Sequence, residues 1–123
     1  MSRLRKKIER LGGGASIQLD VRIVAATNRR LREAVAARQF REDLYFRLSV
    51  FPVAVPALRE RTEDIPRLAH HFVARVSREV GKKISLSPEA VATLMAHDWP
   101  GNIRELQNAL ERAVILADCD TLL

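Results

Sequence analysis

Three sets of polar residues in this chain have types and spacing that suit phosphate chemistry. Arg41 and Arg47 lie in the string FREDLYFRL, with Glu42 and Asp43 between them. On a helix that spacing brings both arginines to similar sides, though not to one line. Guanidinium stays charged, and its fork matches phosphate oxygens. The same string also describes an ordinary salt-bridged surface helix. Arg104 follows Pro100-Gly101-Asn102 in the first turn of an expected helix. Free N–H groups and the helix dipole favour anions there, and Arg104 could equally pair with a neighbouring acid. Thr27 and Asn28 end the apolar string VRIVAA. Ligands gather at the carboxyl ends of strands in α/β sheets; the plainer role for Asn28 is to cap the next helix.

Other chemistries find less support. Gly12, Gly13 and Gly14 are followed by Ala15-Ser16-Ile17-Gln18, without the lysine of a phosphate loop. They read as a helix stop and turn. His70 and His71 are adjacent, so on a helix they diverge by about 100° and cannot share a metal. His97 stands alone, and no metal site is expected. The single Cys119 excludes an internal disulfide and a cysteine-based zinc site. The net charge of +6 comes from arginines interleaved with glutamates along the whole chain. That pattern favours a solvated surface over a nucleic-acid patch. No apolar run suits a signal peptide or a membrane span. A soluble, cytoplasmic protein without a membrane partner is expected.

The elements that would position these residues follow from local pattern. Residues 3–11 read as the end of a helix stopped by the glycines. Residues 19–26 read as a buried strand, and residues 51–55, FPVAV, as a second with Pro52 at its start or edge. Helices are expected at 30–38 and 41–48. Beyond residue 60 the pattern is all helical. One helix runs from Thr62, as N-cap, to Val80 before Gly81. Another starts at Ser87-Pro88 and ends near His97. The last starts at an Asn102–Glu105 capping pair and carries Ile103, Leu106, Leu110 and Val114 down one face.

Taken together, the strings VRIVAATNR, FREDLYFRLSVFPVAVPALRERTEDIP and WPGNIREL resemble the central domain of bacterial sigma-54-dependent transcriptional activators. The resemblance covers roughly residues 19–117. It implies an α/β fold class: a partial AAA+ core of two strands with helices, at 1–61, then an all-α helical lid, at 62–123. It implies a sensor I role for Thr27 and Asn28. Arg41 and Arg47 match the arginine fingers that reach the γ-phosphate held by a neighbouring subunit. Arg104 matches the sensor II arginine, and Arg59 and Arg61 are expected near the nucleotide. The cofactors implied are ATP and Mg²⁺. The partners implied are the sigma-54 RNA polymerase holoenzyme and neighbouring AAA+ subunits in a ring. DNA would be bound only through a further domain.

The family's Walker A loop, Walker B acids and GAFTGA loop are not in these 123 residues. RLRKKIERLGG resembles a variant of the helix after Walker B. The chain is therefore expected to be a fragment of an ATP-dependent activator that hydrolyses no ATP and binds no nucleotide tightly alone. A non-enzymatic module acting in trans on an intact AAA+ subunit is the alternative, and a small basic nucleic-acid binder is a third. The family sheet separates the strands at 19–26 and 51–55 by the phosphate-loop strand, so both lack their ladder partners here. Residues 62–117 are expected to be better ordered than residues 1–55.

Overall fold

The computed structural model describes residues 6–122. It divides into two compact units, up to residue 53 and from residue 54 onward.

The first unit opens on a hairpin. Strand β1 (Lys6–Glu9) pairs antiparallel with β2 (Ser16–Leu19), with Ile8 opposite Ile17. This corrects the expected helix end, of which residues 3–5 lie outside the described residues. Gly12 takes φ +84, a left-handed conformation open to glycine at little cost. The Gly13 N–H donates to the Arg10 carbonyl at 2.9 Å. The glycines thus turn a hairpin. A one- or two-turn helix is marginal in water, whereas the ladder pairs backbone groups and sets the two isoleucines side by side.

The strand expected at 19–26 is not formed: only Leu19 belongs to a strand, and residues 20–27 are irregular. Residues 51–55 are irregular too, with Phe51, Val53 and Val55 exposed to 80%, 83% and 81%. Both strings have strand composition, but a strand needs neighbours for its N–H and C=O groups. Beyond Leu19, no described segment pairs with either. Helix α1 (Leu31–Ala36) and helix α2 (Glu42–Leu48) follow the expected positions with trimmed ends. Ala34 is the one buried residue of α1, and α2 has none.

The second unit completes its own core. Two 3-10 turns, Leu58–Glu60 and Thr62–Asp64, lead into α3 (Ile65–Val80). Thr62 is therefore not the N-cap; Asp64 takes that place, because the 3-10 turn absorbs Thr62–Asp64 first. Gly81 closes α3 at φ +70, the usual left-handed helix stop. Strand β3 (Ser85–Leu86) precedes α4 (Pro88–Ala96), whose Ser87 side chain accepts from the Ala90 N–H at 3.0 Å as expected of an N-cap. Helix α5 (Asn102–Leu116) follows, and β4 (Thr121–Leu122) pairs parallel with β3.

The core follows the helical period. Ile65, Ala69, Phe72, Val73 and Val76 of α3 face Leu106, Leu110 and Val114 of α5, with Leu58 and Trp99 closing the ends. These are the i, i+3, i+4, i+7 positions of two apolar stripes. Burying each large side chain contributes about 1.5–3 kcal/mol. Ile103, expected on the same stripe, lies at the rim and is exposed. The architecture is a mixed α/β segment followed by a helical bundle. Among the described residues no helix is long and apolar enough to cross a membrane.

Candidate functional site

Helix α2 carries both arginines of the FREDLYFRL string. Arg41 is its N-cap residue and Arg47 lies in its last turn. The Arg41 guanidinium donates through Nε to Asp43 Oδ1 at 3.1 Å and through Nη2 to Oδ2 at 2.7 Å. That bond holds the Asp43 carboxyl below its ordinary pKa, partial desolvation opposing it and the Leu44 N–H and the charges of Arg41 and Arg47 assisting. The Arg41 side chain is 79% exposed, so the pair is screened and weak. A phosphate presents the same two-oxygen edge with more charge, and can displace such a carboxylate. Arg47 is exposed and enters no ion pair among the described residues.

Helix α2 is tied to α1 by one side-chain bond. Arg32 Nε donates to Tyr45 Oη at 2.9 Å. This bond lowers the Tyr45 hydroxyl pKa, with a Ser49 hydrogen bond adding, and it raises that of Arg32. No spacing rule links residues so far apart in sequence, so sequence reasoning missed the bond.

Thr27 and Asn28 lie in the irregular segment before α1. Thr27 Oγ1 accepts from the Arg29 N–H at 3.1 Å, forming a local turn. Asn28 does not cap α1; Arg30 occupies that position, without a side-chain cap bond. Both residues are exposed.

Arg104 sits on the exposed first turn of α5 in the second unit. The turn before it is built tightly. Trp99 and Asn102 take φ +48 and +52. Trp99 donates through Nε1 to the Leu94 carbonyl at 2.7 Å and through its backbone N–H to His97 Nδ1 at 3.0 Å. The expected Asn102–Glu105 capping pair is replaced. The left-handed backbone of Asn102 aims its Oδ1 at the Leu58 N–H, 2.9 Å away, and Glu105 Oε2 accepts from the Gly101 N–H instead. A Cβ on residue 101 would lie 2.7 Å from Glu105 Cβ, so glycine is required there. Arg104 itself enters no ion pair among the described residues.

Arg61 is engaged locally, donating to Asp64 Oδ2 from Nε and Nη2, each at 2.8 Å, while Arg59 is exposed. A second feature missed by sequence reasoning is Lys82. Its ammonium donates to the carbonyls of Val114, Ile115 and Ala117 at 3.2, 2.8 and 3.0 Å. It thereby closes the C-terminus of α5, where carbonyls are orphaned and the dipole favours a cation.

The structure thus brings Arg41 and Arg47 together on one element, with Thr27 and Asn28 in the same unit. Toward a nucleotide it offers arginine forks. The described acidic and histidine side chains form no cluster that could hold a metal ion, and no glycine–lysine cradle is present in the sequence. The residues fit the periphery of a triphosphate and do not fit Mg²⁺ coordination.

The model of the AAA+ ATPase lid domain matches residues 59–123, and that of the sigma-54 interaction domain matches residues 4–54. The chain therefore belongs to the AAA+ family. Within it, the chain is a segment of the sigma-54 interaction domain and its lid, the domain of sigma-54-dependent transcriptional activators. It is 54% identical over 118 residues to the nitrogen fixation protein AnfA of Azotobacter vinelandii, covering 95% of this chain and 22% of that protein. It is 54% identical over 112 residues to the formate hydrogenlyase transcriptional activator FhlA of Escherichia coli, covering 90% and 16%. The crystal structure of NtrX from Brucella abortus in complex with ADP superposes with TM-score 0.85 at 44% identity, covering 95% of this chain and 28% of that one. NtrX in complex with ATP gives 0.83 at 46% identity, covering 92% and 27%. The chain spans about a fifth of the length of the curated relatives it matches.

Proposed function

We propose that this chain forms part of an ATP-dependent activator of sigma-54 RNA polymerase and contributes the parts that read and polarise a bound triphosphate. Arg41 and Arg47 act as arginine fingers on nucleotide held by a neighbouring subunit. Thr27 and Asn28 act as sensor I in the core part, residues 1–61. Arg104 acts as sensor II in the lid, residues 62–123. The nucleotide is ATP, as the ATP and ADP complexes of NtrX support for a similar protein, and its Mg²⁺ would be held by residues other than these. Partners are the sigma-54 holoenzyme and further AAA+ subunits in a ring.

The observation that carries this reading is on α2. An exposed arginine already grips two carboxylate oxygens in fork geometry, and a second exposed arginine, without an ion pair among the described residues, lies in the same helix. Phosphoryl transfer is catalysed mainly by positioning and charge stabilisation, and an arginine finger supplied in trans is worth about 10³–10⁵ in rate. Because the cradle for the phosphates is not in these residues, the chain by itself binds ATP too weakly for calorimetry and releases no phosphate.

The test is a mixing experiment. An intact sigma-54 activator whose own two finger arginines are replaced by alanine is titrated with this chain. Phosphate release is expected to rise with wild-type chain and to stay flat with Arg41→Ala or Arg47→Ala. Equal stimulation by wild type and by both variants would remove the finger role.

A further inference from the structure

We propose that Arg32 and Tyr45 are positioning residues for the finger helix: their hydrogen bond sets the rotation of α2, and with it the direction of Arg41 and Arg47. The functional half of this inference rests on the finger reading above; the geometric half does not.

The argument starts from how little else holds α2. It has seven residues and none is buried. A helix that short is not stable on propensity alone, and without a buried stripe its rotation is not set by a core. The connection from α1, residues 37–41, gives only local backbone bonds. The one side-chain hydrogen bond between α1 and α2 is Arg32 Nε to Tyr45 Oη, at 2.9 Å.

The place of that bond matters. Tyr45 stands one helical turn after Arg41, whose carbonyl accepts its N–H at 3.0 Å. Residues four apart lie on one face of a helix. Arg47 lies two positions further on. A tie at Tyr45 therefore fixes the angular setting of both arginines at once. Arg32, Val35, Glu42, Tyr45 and Phe46 line one open groove beside the bond, and the Tyr45 and Phe46 rings meet edge to face at 5.4 Å. The ring contact steadies the tyrosine, and the guanidinium bond directs it.

Tyr45 is the single tyrosine of the chain, so its ionisation can be followed by absorbance near 295 nm in the full chain. Three comparisons make the test. First, Arg32→Ala is expected to shift the Tyr45 titration upward, Arg32→Lys less so, and Arg38→Ala not at all. Second, amide hydrogen exchange across residues 42–48 is expected to quicken about threefold to tenfold in Arg32→Ala and in Tyr45→Phe, the size of one lost hydrogen bond, with α3 and α5 unchanged. Third, in the mixing assay both variants are expected to lose about the same factor in stimulation, with partial recovery in Arg32→Lys. An unmoved titration with unmoved exchange would overturn the brace. Altered titration and exchange with full stimulation would leave the bond intact and remove its positioning role. If the wild-type chain stimulates nothing, the finger reading fails, and the first two comparisons still decide whether the bond sets α2.

Discussion

The two units of this chain are opposite in character. From residue 54 onward, apolar side chains at helical spacing bury one another: Ile65, Leu106 and Val114 are fully covered. Up to residue 53, Ala34 is the one buried apolar residue among those described, and Val21, Ile23, Val24, Phe46 and Val50 are exposed. The residues of the first unit are no less hydrophobic. They are β-branched strings that need ladder partners, whereas the lid uses local stripes that need only each other. The difference teaches where the domain is divisible. A helical lid closes on itself; a sheet strand carries its function only inside the sheet. Four of the five residues proposed to act on nucleotide, Thr27, Asn28, Arg41 and Arg47, sit in the unit that does not complete its own core.

The contrast can be broken by mutation, and Trp99, the sole tryptophan, reports on the lid alone. The largest effect is expected for Leu106→Ala, which empties a site with 0% exposure. It should cost about 2–5 kcal/mol in urea unfolding followed by Trp99 fluorescence. Ile23→Ala, exposed to 52%, should stay within about 0.5 kcal/mol by the same assay. Comparable losses at both positions would show that the lid does not stand on its own core.

Lys82→Met comes next. It keeps the stem and removes three donors to the α5 carbonyls, and a loss of about 1–2 kcal/mol is expected. Ser87→Ala removes the N-cap bond of α4 and should cost about 1 kcal/mol. Both are read by the same fluorescence transition.

The smallest effect concerns acid. The Arg41 bond depresses the Asp43 carboxyl. Its contribution to α2 is therefore present above the ordinary carboxylate value and is lost as pH falls through the lowered value of the folded state. The pair is exposed, so the loss is slight and the lid should not sense it. The Arg41 Nε–H resonance is expected to shift over that acid range in wild type and to stay flat in Asp43→Asn.

How legible this was in sequence differs between the units. The lid was readable because helical spacing is a local signal: Ser87-Pro88 marked a start, Gly81 a stop, and Leu106, Leu110 and Val114 a buried face. The errors there were small: a local 3-10 turn absorbed Thr62, and the others came from tertiary bonds. Asn102 turned to Leu58, and Lys82 reached the far end of α5, neither of which any periodicity encodes. In the first unit the strings at 19–26 and 51–55 have strand composition, but the strands expected from it do not form. Whether they pair depends on partners, and composition does not supply them. The glycines at 12–14 marked a turn, but a turn serves a hairpin as well as a helix end, and only the facing of Ile8 with Ile17 decided it. The candidate site residues were drawn from the long family strings and stand as proposals, whereas the Arg32–Tyr45 bond left no local trace.

Amide hydrogen exchange of the whole chain, resolved by residue, tests the division most directly. Strong protection of residues 65–79 and 104–116, with residues 20–27 and 51–55 exchanging close to the rate of an unfolded chain, is the predicted result. Equal protection of the two regions, or stronger protection before residue 53 than after it, would contradict a self-sufficient lid joined to a core that needs partners.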